Sequence, residues 1–401
     1  MHDVPKLLVI ACFHPDRPHG GAHVMRQLLR DYPKDRLAWW CLDANAIPAG
    51  FLPREQVYRM RLPLAFVARE KYRWLKNSLA ERLWVPVAAR QLTAVLDHWD
   101  PEGVVFLPQA WLVPVFLRIW SAQKHRSLHL VLHDFLDHAG CRRSLGSARA
   151  SCFMHSVEGL YPLAQSRTTI SRAMADELQH VTGCAAELIA PCGVEPDELS
   201  YVRTRRYEPA QGEISLVYTG TVTAPATMLR LVQALEQVRV LVGRPIVLRF
   251  YGGLPVQHHN WFRAAWMRFE GTPSDAQLRD VLRSACFGLC LMNDDLSNPR
   301  YDRYSIPCKF TTYLAAGLPM IVVGHPATTL AGIMRKYPTG LWLGHSHNMT
   351  TWVEQLVQWF NGSIPYAAIQ AAMVRAAKNE FDAERNRKIF NNLLSTPVRH
   401  S

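Results

Sequence analysis

The chain has 401 residues, 49% of them hydrophobic and 19% charged, which fits a folded globular protein and makes two domains the expectation. Its 45 Lys and Arg against 33 Asp and Glu give a net charge of +12, which suits nucleic acid, an anionic membrane surface or phosphorylated substrates as partners. No run approaches ~20 consecutive apolar residues, which excludes a spanning helix, and the 9 scattered cysteines without a CxxC pair argue for a reducing cytoplasm and against zinc.

Taken in order, the chain begins with "KLLVIACF" (6–13), which reads as a strand; it lacks the basic lead and small-residue cleavage site of a signal peptide. "HPDRPHGGAHVMRQLL" follows. Gly20 and Gly21 stand just before a helical pattern, where backbone can approach a ligand closely at a helix start. This is not GxGxxG, so a dinucleotide fold is not supported; the second strand reads as "LAWWCLD" (37–43).

Region 54–90 is basic, with nine Arg or Lys against three Glu, and Phe66, Tyr72, Trp74, Leu75, Leu79, Leu83 and Trp84 are interleaved among them. That pattern suits an interfacial helix on an anionic membrane, and equally a helix with one face in the core and a basic face in water. Strands are expected at 103–109, at 128–135 ("LHLVLHDF"), at 167–171 and at 186–191. The fourth strand delivers His133 and Asp134 to its carboxyl end, where a His can orient a substrate or handle a proton and an Asp can orient the His or cap a helix.

Polar residues 196–212 break the alternation and read as a linker between domains 1–195 and 213–378. Strands then resume at 214–220, 245–253, 287–293, 320–323 and 341–343. Gly220 and Thr221 end the first of these, and Thr223 to Thr227 lead into a helix. "LMNDDLSNPRYDRYS" is a long polar loop carrying Asp294, Asp295, Arg300, Asp302 and Arg303. It runs into "YSIPCKFTTYLAAGLPMIVV", where Ser305 and Pro307 suit a helix start and Gly317 and Pro319 its stop. Lys309 falls in the first turn, where a cation is disfavoured, and no Asp or Glu lies between Tyr304 and Val323 to offset it. Alternating strands and helices of this kind imply an α/β chain of parallel sheets, with ligands beyond the strands' carboxyl ends.

These segments, with "TISRAMADEL", "LIAPCGVEPD", "LVYTGTV", "RFYGG" and "FDAERNRKIF", stand in an order and spacing that resembles glycosyltransferases of the GT-B fold, most of all the retaining family-4, or group 1, type. The most specific piece is P-x-K-F-x-x-Y-L-A-A-G-L-P. The resemblance implies two Rossmann-like domains facing across a cleft, with a C-terminal helix (379–401) crossing back to the first. It implies a nucleoside diphosphate sugar donor held by the second domain and a saccharide or lipid-linked acceptor on the first. Neither a cofactor nor a metal is implied. Gly20 and Gly21 would lie near the reacting sugar and diphosphate, and His133 at the donor sugar. Gly220, Thr221, Ser305 and Lys309 would lie at the diphosphate.

Two departures stand out. Many family members carry glutamates where this chain has Tyr304 and Thr312, and a basic pair after the "G-T" where this chain has "TVTAPAT". Either the donor is unusual, with Asp302 or Asp295 on sugar hydroxyls and Lys309 or Arg300 on phosphates, or activity is lost. The expectation is a divergent, metal-independent glycosyltransferase of polysaccharide or glycoconjugate biosynthesis, cytoplasmic and peripheral at the inner membrane face. The alternative is an inactive GT-B scaffold in a polysaccharide assembly system. Nucleic-acid binding rests on charge alone and is not expected.

Overall fold

The apolar runs become strands in the computed structural model, which describes residues 4–17, 20–43, 50–61, 72–207, 212–296, 299–344, 348–362 and 364–395. The chain divides into two units, one of residues 1–192 with 383–401, the other of 193–382.

The first unit holds β1 (Leu7–Ala11), β2 (Leu37–Cys41), β3 (Val57–Arg59), β4 (Gly103–Phe106), β5 (Ser127–Leu132), β6 (Ser166–Thr169) and β7 (Leu188–Ile189). All pair in parallel, in the order β3-β2-β1-β4-β5-β6-β7. The second holds β8 (Ile214–Thr219), β9 (Ile246–Tyr251), β10 (Met267–Gly271), β11 (Phe287–Leu291), β12 (Met320–Gly324) and β13 (Gly340–Gly344), again parallel, in the order β10-β9-β8-β11-β12-β13. Both are doubly wound α/β sheets. The order reverses between β1 and β4 in one unit and between β8 and β11 in the other, and such switch points open crevices for ligands.

Central strands such as β1, β8 and β12 are buried throughout, because helices cover both faces of a parallel sheet. In the second unit one layer gathers Leu216 and Tyr218 with the helix Pro225–Val242, and the other gathers Val217 with Phe310 and Tyr313 of the helix Cys308–Ala315. The period-2 alternation of β8 thus feeds both cores.

Of the expected linker 196–212, residues 208–211 lie outside the described residues and residues 196–204 are not a plain linker. They enter the second unit as the helix Pro196–Thr204, with Pro196 at its start and the Glu198 carboxylate accepting from the Glu195 N–H at 2.8 Å. Val202 is buried, and Gln370 donates to the Val202 and Arg205 carbonyls at 2.7 and 2.9 Å. The polar residues serve caps and side-chain clamps, so polarity here did not mean loop. The last helix, Ala383–Leu394, does return to the first unit, burying Phe390 and Leu394 and pairing Arg387 with Asp31 at 2.8 Å. Among the described residues no helix is long and apolar enough to cross a membrane.

Candidate functional site

In the second unit β8 and β11 pair only through Phe287–Leu216 and Gly288–Val217, so the ends of the two strands part. Tyr313 fills the seam. Its hydroxyl accepts from the Thr219 N–H at 2.9 Å, supplying a partner that the sheet no longer offers. Gly288 permits this, since a Cβ there would fall 2.6 Å from the Tyr313 ring.

Tyr313 and Lys309 stand on the same short helix, and Lys309 reaches from that layer across the strand end to Tyr218 of the opposite one. Its Nζ donates to the Tyr218 hydroxyl at 2.6 Å, lies 4.1 Å from the centre of that ring and is 3.4 Å from the Thr221 carbonyl. Tyr218 in turn donates to the Thr221 carbonyl at 3.0 Å. Gly220 turns the chain here with φ +82°, a conformation that favours glycine. The structure thus brings Lys309, Gly220 and Thr221 together and adds Tyr218, which the sequence reading passed over as one more apolar strand residue.

The electrostatics at this point are one-sided. Pro307 occupies the N-cap of the helix Cys308–Ala315 with no side-chain cap and no acid in the first turn. Among the described residues no carboxylate pairs with Lys309. Burial pushes its ammonium down to about 8. A helix start without an acid and a poorly solvated cation in its first turn together make the chemistry of an anion site.

The neighbouring polar residues are committed elsewhere. Asp294 accepts from Thr227 at 3.2 Å and from Arg230 at 2.6 Å, so the first basic residue after the Gly220 turn is already neutralised. Thr312 turns its hydroxyl back onto the Cys308 carbonyl at 3.0 Å. Ser305 is buried two residues ahead of the cap. Arg300 is half-buried on the helix Pro299–Tyr304, and Asp295 is exposed on the loop. Asp302, expected on sugar hydroxyls, is fully buried and accepts from Asn293 at 2.8 Å, so it braces the loop from beneath.

In the first unit His133 follows β5, and Gly21 lies against it. A Cβ on Gly21 would sit 3.0 Å from His133 Nδ1 and 2.7 Å from the Phe13 ring. The glycine and the histidine named from sequence therefore share one spot, and Gly20 opens the adjoining helix Gly20–Leu28. His133 and Asp134 are both half-buried. The other histidine of "LHLVLHDF", His129, is wholly buried between Ser127 and Ser166, at 3.1 and 2.8 Å, and burial pushes it down to about 4. It is a core residue. Sequence reasoning missed Asp16, which accepts from the Phe51 N–H at 2.8 Å and so ties the β1 loop to the chain after β2.

The two switch points share a further trait. The loop after β4 holds Ala110 at φ +38° and the loop after β11 holds Leu296 at φ +53°, in each case a non-glycine residue in the left-handed region. Backbone strain of this sort gathers at ligand-facing loops. Among the described residues no group of three or more His, Cys, Asp or Glu is placed to hold a metal ion.

Residues 232–358 match the model of the Glucosyltransferase 3-like C-terminal domain. No curated protein matches the chain. Among solved structures, the α,α-trehalose 6-phosphate synthase of Burkholderia multivorans superposes with a TM-score of 0.63 at 12% identity, over 97% of this chain and 98% of that one. Sucrose-phosphate synthase of Thermosynechococcus elongatus gives 0.62 at 14% identity, over 96% of each chain. HepE of Anabaena, in complex with UDP, gives 0.59 at 15% identity, over 96% and 97%. The chain has the fold of the GT-B glycosyltransferases.

Proposed function

We propose that the protein is a glycosyltransferase that takes a sugar from a nucleoside diphosphate sugar and passes it to a saccharide or lipid-linked acceptor. One observation carries the reading: an unneutralised lysine, Lys309, stands at an uncapped helix start beside the Gly220–Thr221 turn. A diphosphate there would gain the Lys309 charge and the positive potential of the helix start. Support comes from similar folds that carry such ligands, HepE with UDP-glucose and the trehalose-6-phosphate protein of E. coli with UDP-2-fluoro glucose.

On this reading transfer proceeds with retention and without a metal. The leaving diphosphate assists the acceptor hydroxyl, so the protein supplies position and charge stabilisation rather than a dedicated base. Lys309 stabilises the leaving group and His133 contacts the donor sugar. The pathway is polysaccharide or glycoconjugate biosynthesis, with the protein acting at the inner face of a membrane through region 54–90. Residues 62–71 of that region lie outside the described residues.

The test is a thermal-shift screen against nucleotides and nucleotide sugars, run on the protein and on Lys309→Ala. A shift with one nucleotide diphosphate series, lost in the variant, supports the donor site and names the base. No shift with any of them sinks it. A second reading, a non-catalytic scaffold, draws on Thr312 being turned onto its own helix and on Arg230 being tied to Asp294. Donor binding without turnover, across a full acceptor panel, would favour it.

A further inference from the structure

The helix Arg73–Leu79 continues through a π turn, Ala80–Trp84, into the helix Val85–Trp99. Pro86 explains the π turn. It has no N–H to donate one turn back, and its ring crowds the preceding carbonyls, so the Val85 N–H reaches five residues back to Ala80.

One side of this rod is fixed to the first unit. Asn77 donates to the Leu145 carbonyl at 2.9 Å, Trp84 donates to the Arg61 carbonyl at 3.1 Å, and Ala80, Val85 and Ala88 are buried. The other side is not packed. Trp74 is 71% exposed, Leu75 41%, Leu79 41%, Leu83 63% and Val87 51%. These are large apolar side chains left wholly or partly in water, four of them along one line.

The π turn accounts for the line. Leu75, Leu79, Leu83 and Val87 recur every four residues, and in a regular α-helix that repeat drifts by ~40° per step around the axis. A wider turn rotates less per residue, so a π turn midway winds the drift back and keeps the side chains aligned. The sequence thus builds a straight apolar ridge and holds its opposite side down.

Charge says what the ridge meets. Arg73, Lys76, Arg82 and Arg90 flank it, and its one acid, Glu81, is paired with Arg149 at 2.9 Å. A single line of side chains is not the broad patch of about 20–30 residues a side that a stable protein interface takes. It suits a bilayer, where single side chains enter among lipid tails while cations meet phosphates. We infer that this ridge docks the first unit on an anionic membrane surface, with Trp74, Leu75, Leu79 and Leu83 entering the headgroup boundary. The inference deepens the membrane-face reading above and rests on it for its partner, but not on donor binding.

The experiment is co-sedimentation of the full chain with vesicles of phosphatidylglycerol and phosphatidylcholine, and with phosphatidylcholine alone. The double variant Leu79→Ser with Leu83→Ser is run beside it, and size-exclusion chromatography follows both. The expected result is pelleting with anionic vesicles only, weakened about tenfold or more in the variant, whose melting temperature stays unchanged. Absence of pelleting, or equal pelleting of the variant, overturns the inference. So does a dimer that the variant converts to monomer, since a second copy would then be the occupant. Vesicle binding by a protein that shows no nucleotide-induced shift keeps the ridge and sinks the donor reading instead.

Discussion

Tyr218 holds Lys309 in two ways at once: its hydroxyl accepts from Nζ at 2.6 Å, and its ring face lies 4.1 Å from the same atom. Neither contact neutralises the cation, so the lysine is oriented and still wants an anion. A charge held this way costs the ligand-free protein and is recovered on binding.

Lys309→Ala is expected to lower turnover by ~100-fold, the scale of losing one preorganised electrostatic donor, as steady-state kinetics would read. The same charge is a burden without ligand. The folded value of about 8 lies below the unfolded 10.5, so the group costs stability below about 8, and the cost fades as pH rises towards 10.5. Lys309→Met should therefore stabilise the ligand-free protein at pH 7 by roughly 1–2 kcal/mol in urea unfolding, discounted for partial exposure, while losing the nucleotide response. A less stable Lys309→Met would contradict the burial argument.

Affinity for whichever nucleoside diphosphate the thermal-shift screen names should depend on the same proton. It is flat between about pH 7 and 8, where the ligand's terminal phosphate is already doubly ionised, and falls by up to about tenfold per unit above, because the binding form is the ammonium. Tyr218→Phe keeps the ring but removes the hydroxyl that accepts from Lys309, so the midpoint should move down and affinity at pH 7.5 should drop about fivefold, near 1 kcal/mol. Calorimetric titration across pH measures both, and an unmoved midpoint in Tyr218→Phe would separate the hydroxyl from the lysine.

Gly21→Ala pits helix propensity against space. In the first turn of the helix alanine gains less than the ~1 kcal/mol of a helix interior, and its Cβ would meet the buried Phe13 ring at 2.7 and 2.9 Å and His133 at 3.0 Å. Overpacking of this kind costs ~1–3 kcal/mol, so a lower urea midpoint is expected, with His133 displaced. A midpoint above that of the unaltered protein would mean that the space is not as tight as described.

His129 should make the protein acid-sensitive. It is buried neutral at about 4 against 6.5 when unfolded, so the unfolded chain binds the extra proton between those values and stability falls as pH drops from 6.5 towards 4. The loss attributable to it is on the order of 3 kcal/mol. His129→Gln should flatten that part of a stability–pH curve; an unchanged slope would assign the acid loss to other groups.

What the residues alone made legible follows their packing. Strands buried on both faces, such as β1 and β12, show as plain apolar runs. β3 and β10 went unread because they are edge strands: "VYR" is three residues with no buried member, and "MRFEG" carries polar residues towards water. Lys309 was legible because charge at a helix start is a local oddity. Tyr218 was not, since a tyrosine in a strand looks apolar until its hydroxyl is placed. Asp302 looked like a ligand contact because loops around it are polar, and only burial shows it to be a brace. The ridge at 75–87 was half legible: composition gave basic and aromatic residues, but their alignment depends on a π turn that only Pro86 hints at.

The second unit is one uninterrupted stretch whose ends are stitched together, Val194 donating to the Phe381 carbonyl at 2.6 Å and bridging to Asp382. The first unit is split, its last helix lying 190 residues beyond its other described parts, after residues 193–382. On a ribosome, then, the half made first is the last to be finished. Residues 193–382 can close on themselves while the helix Gly20–Leu28 still waits for the helix Ala383–Leu394 to pack against it. A chain truncated after residue 382 should carry a finished second unit and an open first one, and that form should have more need of a chaperone than the full chain.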